Sequence, residues 1–293
     1  MPELPEVETI VRELRSQLMG KMITGLSLRE KALNHLLRTD SDRFYQGLMN
    51  QTIVTILRKG KYIIMPMSND NVLVIHLGMT GKLWLYESAA EDFINQLGQV
   101  DKHTHLIIEV ADLSEKEEDL ELHFNDVRLF GNIWLVEDVQ NLEEIDVPGL
   151  KELGPDALGI TLDEFAKAMS SKRSAKTILL DQTKIAGVGN IYADEACFYA
   201  GVHPATRGVS LKGEQVDKLW FAVRTVLKLG IKYRGSSTSD YTTTDGSKGS
   251  YQNYHRVYQK TGQKCTDCDA LVKRIKLTGR STHFCPSCQG EGE

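Results

Sequence analysis

Residues 265–288 read CTDCDALVKRIKLTGRSTHFCPSC. Two CxxC pairs flank 16 residues, and four of the chain's five cysteines lie here. That spacing is the signature of a four-thiolate zinc site, in which two hairpin turns each present two sulfurs to a tetrahedral ion. A pair of disulfides and a redox-active CxxC are the other readings. Disulfides suit a secreted chain, and no basic-plus-apolar signal segment opens this one. Cys265, Cys268, Cys285 and Cys288 are therefore the candidate ligands of one structural Zn2+, with no coordination position left for water. The remaining cysteine, Cys197, sits in an apolar helical stretch and reads as a packed core thiol.

Moving N-terminally, residues 235–253 (GSSTSDYTTTDGSKGSYQN) are dominated by Ser, Thr and Gly. A polar loop of this length inside a compact domain is an inert linker or, more commonly, a mobile lid or binding loop. Before it the pattern is helical. TLDEFAKAM carries a Thr with Glu three residues on, a capping box, and SAKTILLDQ, GNIYADEACFYAGV and LKGEQVDKLWFAVRTVLKLGI follow. In QTKIAGVGNIYADE (182–195), Gly187 and Gly189 immediately precede a helix starting near Asn190. Glycines there either let backbone N–H groups approach an anion at the helix N-terminus or serve a tight helix–helix turn. Residues 138–160 are acidic and hold Pro148, Gly149, Gly154 and Pro155, the composition of an interdomain connection.

The first 137 residues are different. Alternating, β-branched runs at 22–28, 52–58, 61–67, 71–77, 82–87, 104–111, 120–127 and 131–137 are separated by short turns. Eight short strands so connected predict an antiparallel sandwich or flattened barrel. A helix precedes them. Pro5 suits a first turn, Val7, Ile10, Val11, Leu14 and Leu18 recur at helical spacing, and Gly20 closes the run. The domain division expected is 1–137, a linker 138–160, a helical domain 161–253 and a zinc finger 254–293. The fold class is α+β, multidomain.

The chain has 293 residues and a net charge of −5, which alone speaks against a nucleic-acid partner. The charge is unevenly placed. Residues 1–159 hold 15 Lys/Arg against 27 Asp/Glu, whereas residues 160–293 hold 20 against 13. Such asymmetry fits nucleic-acid binding by the C-terminal half. No apolar run approaches the roughly 18 residues of a membrane span. A cytoplasmic monomer with no membrane partner is expected.

RKGKYIIM (58–65) sets three cations at a hairpin, IHLGMTGKLW (75–84) places Met79 in a glycine-flanked turn, and NDVRLFGN (125–132) puts Arg128 and Phe130 at a strand end. Taken singly, these are as readily core filler or surface charge. Taken in order with PELPEVET at the start, LGPDAL, AGVGNIYADE and the terminal GRSTHFCPSC, they resemble the formamidopyrimidine-DNA glycosylase family across nearly the whole chain. The Leu of PELPEVET sets it apart from the related endonuclease VIII branch, in which Gly typically follows the first Pro-Glu.

The resemblance implies a bifunctional glycosylase and AP lyase acting on 8-oxoguanine and formamidopyrimidines in duplex DNA, or on abasic sites. Its fold would be an N-terminal β-sandwich with a flanking helix, a helix-two-turn-helix domain and a zinc-ribbon hairpin. It implies that Pro2, freed by removal of Met1, attacks C1′ of the damaged nucleotide. An α-amino group has a pKa near ~8, and the positive end of the first helix lowers it further. A secondary amine can form an iminium ion with the opened sugar. Glu3 is implied as general acid/base, with Glu6 supporting it. Lys61 matches the family's second catalytic lysine, which contacts the phosphate beside the lesion. His76, Arg128, Asn190 with the Gly187–Gly189 backbone, and Arg280, grouped with the catalytic set, match further phosphate contacts. Met79, Arg128 and Phe130 match the trio that fills the gap left by an everted nucleotide. Loop 235–253 matches the segment that closes over the extruded base, but Ser239 and Asp240 stand where many members have a basic residue followed by threonine. Glu195 and the loop backbone are candidates for contact with that base. Segments 88–103 and 112–121 are longer than the family's usual. An oxidised-pyrimidine glycosylase, a lesion-binding protein without catalysis, and an RNA-binding zinc ribbon are the competing readings.

Overall fold

The computed structural model describes residues 2–87, 101–112 and 119–290. Most of segments 88–103 and 112–121 lies outside the described residues. The chain forms two compact units, one of Pro2, Glu6–Lys151 and Ser236–Gly249, the other of Glu3–Pro5, Glu152–Gly235 and Ser250 onward.

The first unit is the antiparallel sandwich. Strands β1 (Met22–Leu28), β2 (Leu57–Lys59), β3 (Tyr62–Pro66), β4 (Val72–His76), β5 (Lys82–Glu87), β6 (Thr104–Ala111), β7 (Leu120–Asn125) and β8 (Asn132–Val136) form two four-stranded sheets, β1-β6-β7-β5 and β2-β3-β4-β8. Alternate residues face a shared core: Ile63 and Met65, Leu73 and Ile75, Leu106 and Ile108, Leu122 and Phe124, Ile133 and Leu135. This is the period-2 pattern of a sheet with one buried face. Helix α1 (Leu4–Leu18) lays Val7, Ile10, Val11, Leu14 and Leu18 on the same core, none more than 1% exposed. A 15-residue helix is marginal alone, so these five side chains, each contributing about 2 kcal/mol by burial, hold it in place.

Two short helices were not expected from the sequence. They are α2 (Glu30–His35) and α3 (Ser41–Leu48), the second capped by the Asp40 carboxylate, which accepts from the N–H groups of Asp42 and Arg43. The strand expected at 52–58 is mostly irregular: Thr52 and Ile53 make only isolated bridges, to Met22 and Met67.

The second unit is helical. Helix α4 (Leu162–Met169) begins with the expected capping box between Thr161 and Glu164, and α5 (Ala175–Leu179) is capped by Ser174. Helix α6 (Asn190–Tyr199) is buried from Ile191 to Phe198 and is the central element, beside the long α7 (Gly213–Lys232). Strands β9 (Lys273–Leu277) and β10 (Arg280–Phe284) pair as the hairpin between the two cysteine pairs. A helix buried on all sides must partner its own polar residues. Asp194 on α6, fully buried, pairs with Lys176 Nζ at 2.6 Å and accepts from the N–H of His283 at 3.0 Å, with His283 Nδ1 at 2.9 Å. Lys176 also donates to Ser281 O and Thr282 Oγ1. The hairpin is thereby fixed to α5 and α6. Among the described residues, no helix is long and apolar enough to cross a membrane.

Candidate functional site

In the helical unit the N-terminus of α6 receives a carboxylate from the start of the chain. Glu3, 3% exposed, accepts from Ile191 N–H at 3.0 Å through Oε1 and from Tyr192 N–H at 3.4 Å through Oε2. The helix has no side-chain cap of its own, since its N-cap residue is Gly189. A Cβ there would lie 2.1 Å from Glu3 Cδ, so only glycine admits the carboxylate. The first anion at this helix end is therefore the chain's own, and the glycine serves close approach. Gly187 donates its N–H to Gln182 Oε1 and accepts from Leu4 N–H. Asn190 donates through Nδ2 to Ser281 O, one residue beyond Arg280, while its buried Oδ1 has no hydrogen-bond partner among the described residues. Arg280 is exposed at the start of β10. It lines an open cleft with Arg173, Thr177, Asp181 and Gln182, in which Arg173 is paired with Asp181 at 2.6 Å.

In the sandwich unit Pro2 is buried and leads into α1. Glu6 accepts from Ser236 N–H at 2.8 Å. Lys61, 7% exposed, occupies the two-residue turn between β2 and β3. Burial, and then the Lys61 ammonium, push the pKa of His76 down to about 4, so the ring is neutral near pH 7. Its Nδ1 accepts the Gly78 N–H at 3.2 Å, which leaves the ring proton on Nε2 as a donor.

Two turns bring the expected insertion trio to one place. Asp126, fully buried, accepts from Thr80 Oγ1, from Arg128 N–H at 3.1 Å and from Gly131 N–H at 2.8 Å. It thus ties turn 77–81 to turn 126–131. Gly78, at φ +60°, lies so close that an added Cβ would come within 2.3 Å of the Phe130 carbonyl oxygen. Met79 and Phe130 are 42% and 48% exposed, and the Arg128 guanidinium stacks over the Phe130 ring at 4.4 Å. Large apolar groups held outward on braced turns suit insertion into a base stack.

Profiles of three domains match the chain: the formamidopyrimidine-DNA glycosylase N-terminal domain over residues 1–133, the formamidopyrimidine-DNA glycosylase H2TH domain over 153–242, and the zinc finger found in FPG and IleRS over 262–290. The chain belongs to the formamidopyrimidine-DNA glycosylase family. The formamidopyrimidine-DNA glycosylase of Carboxydothermus hydrogenoformans is 38% identical, covering 99% of this chain and 100% of that protein. Among solved structures, Lactococcus lactis Fpg bound to abasic-site DNA is 34% identical, with a TM-score of 0.84 over 99% of this chain and 100% of that one. MutM bound to DNA containing carbocyclic 8-oxo-G is 34% identical, with a TM-score of 0.83 over the same shares.

The glycosylase family's zinc finger is present in its ligands. The four Sγ atoms of Cys265, Cys268, Cys285 and Cys288 all lie within 4.8 Å of one another. Tetrahedral Zn–S bonds of about 2.3 Å need S···S separations near ~3.8 Å. The Cys265–Cys288 and Cys268–Cys285 pairs, at 3.9 and 3.4 Å, are close to that and far beyond disulfide length. Backbone N–H groups of Asp267 and Cys288 donate to Cys265 Sγ and Cys285 Sγ, as suits thiolates. Bound there, Zn2+ supplies a cross-link between the two knuckles of the finger and no open coordination site.

Glu195 departs from the sequence expectation. It is fully buried on α6 and accepts three backbone N–H bonds, from Arg256, Val257 and Tyr258 at 2.9–3.0 Å. Burial pushes its pKa up, against the pull of those bonds. Both of its oxygens are thereby engaged by the approach to the zinc finger. Cys197 is the packed thiol expected, its pKa pushed up to about 12 by burial. Asp126, Lys176 and Asp194 were missed as organisers. Asp126 alone carried a signal, an Asp opening a glycine-bearing turn.

Proposed function

We propose that this member of the glycosylase family removes oxidised purines from duplex DNA and cuts the strand at the resulting site, with the Pro2 amine as nucleophile. The observation that carries the reading is Glu3. The residue beside the amine is a buried carboxylate, held by two N–H groups at the positive end of a helix, where hydrogen bonds and the helix dipole favour a negative charge. After loss of Met1, the Pro2 nitrogen attacks C1′ and the base leaves with the electrons of its glycosidic bond. The amine's proton passes through Glu3 to the ring oxygen as the C1′–O4′ bond opens, leaving an iminium ion. Glu3 then takes the C2′ proton, and the C–H electrons expel the 3′ phosphate. Loss of the C4′ proton expels the 5′ phosphate by δ-elimination, and water hydrolyses the remaining iminium to return the free amine.

Met79, Arg128 and Phe130 fill the space vacated by the everted nucleotide, offsetting the few kcal/mol that eversion costs. Lys61, neutral His76 acting as an Nε2–H donor, Asn190 with Gly189, and Arg280 hold phosphates. Loop 235–253 covers the everted base. Duplex DNA as substrate supports a cytoplasmic, nucleoid-associated location. Replacing Pro2 with Gly substitutes a primary for a secondary amine: excision of 8-oxoguanine opposite cytosine should fall at least tenfold while DNA affinity holds within threefold. Unchanged turnover would remove Pro2 from the mechanism.

A further inference from the structure

The segment Ser236–Gly249 belongs structurally to the sandwich, and its attachments are specific. At its start Ser236 donates its N–H to Glu6 Oε1, both groups buried. Seven residues further along α1, Glu13 Oε2 accepts the Thr244 N–H at 3.0 Å and the Thr244 hydroxyl at 2.8 Å. Residues seven apart stand on one helix face, about 10 Å apart. Between these anchors the Tyr241 ring, 7% exposed, is part of the main core. Trp84 Nε1 donates to Thr242 Oγ1 at 2.9 Å. Leu85 N–H donates to Thr244 O at 2.9 Å, so the loop also pairs with the edge strand of its sheet.

Inside the loop, Ser237 Oγ donates to Tyr241 O and accepts from Gly249 N–H. Thr243 and Ser247 close a turn through Thr243 N–H and the Ser247 carbonyl at 2.9 Å. Ser239 and Asp240 are left as an exposed tip. The tip is thus bounded by fixed points on both sides, and both lead to the helix that carries Pro2 at its head.

We propose that Glu13, with Thr244 and Trp84, is a positioning seat that sets the loop over the everted base. This rests on the glycosylase/lyase reading above. The seat acts only when there is a base to hold. Excision of a damaged base needs the loop tip in register, whereas cleavage of a preformed abasic site needs only the amine and the carboxylate. The two anchoring hydrogen bonds converge on a single oxygen, so an amide oxygen can replace the carboxylate but a methyl group cannot.

The test compares single-turnover excision of 8-oxoguanine opposite cytosine with cleavage of the same duplex carrying an abasic site. Glu13→Ala and Thr244→Val should each slow excision at least tenfold and leave abasic cleavage within twofold. Glu13→Gln, which keeps an acceptor, should excise within threefold of the parent. Should Glu13→Ala fail to fold, Thr244→Val, nearly isosteric, decides the matter alone. Equal loss on both substrates, or excision unaffected in the folded variants, would overturn the seat. A parent protein that leaves the abasic duplex intact would instead overturn the functional reading on which it rests.

Discussion

At the scale of single residues, the entry to α6 is built around an absence of side chain. Gly189 has no Cβ, and that void is filled by the Glu3 carboxylate. Gly189→Ala therefore forces Glu3 out of its two hydrogen bonds. We expect excision to fall at least a hundredfold and stability to drop by about 1–3 kcal/mol for the buried groups left unpaired, with zinc content unchanged. Wild-type turnover in this variant would mean that Glu3 works from another position. The glycines of GVGN were legible in the sequence as a special helix entry. Their partner was not, because Glu3 lies 188 residues before Ile191, whose N–H it accepts. The same limit explains Glu195. A carboxylate in an apolar helix invites a ligand reading, but its three N–H donors come from residues 256–258 and nothing local announces them.

Among elements, the paired turns at 77–81 and 126–131 depend on one buried carboxylate. Asp126→Ala leaves the Thr80, Arg128 and Gly131 donors without their acceptor, at a cost of about 3 kcal/mol. The turns should loosen, and excision should slow about tenfold because the wedge is no longer braced. Asp126→Asn, which keeps one acceptor oxygen, should fall between. Denaturant melts and single-turnover rates on the same preparations test this; equal rates in Asp126→Ala and the parent would deny the bracing. Runs such as 104–111 and 82–87 were readable as strands to the residue, since Leu106, Ile108 and Val110, and likewise Leu83 and Leu85, recur at every second position to meet the core. Helices α2 and α3 were not, being six and eight residues long and too short for a periodic stripe to register. Loop 235–253 read as polar and mobile, yet Tyr241 and Thr244 seat it on the sandwich; only tertiary partners reveal that.

For the whole molecule, each unit carries a histidine kept neutral by its surroundings. His76 is pushed down to about 4 by burial and Lys61, and His255 to about 4 by burial and Lys260. The unfolded chain takes up these protons near pH 6.5, so their stabilisation is complete above that value and is lost as pH falls toward 4. Each represents on the order of 3 kcal/mol. Glu109, pushed up to about 7 by burial and by Glu121 and Asp119, works oppositely: its contribution is complete below about 4.5 and lost as pH rises through 7. The two histidines outweigh it. Urea midpoints should therefore decline from pH 7 to pH 4.5, and His255→Gln should flatten the decline; identical slopes would contradict the assignment.

The unequal halves of charge were visible in composition, but the acidic stretches said nothing of where the cations converge. Asn190 reaches Ser281, the chain neighbour of Arg280, only in the folded structure. The central claim, that the terminal proline is the reagent, is tested most directly by borohydride trapping on duplexes carrying 8-oxoguanine opposite cytosine, with the adduct mapped by mass spectrometry. The account predicts a covalent DNA adduct on the Pro2 nitrogen. An adduct on a lysine, or none from a protein that binds and excises, would contradict it.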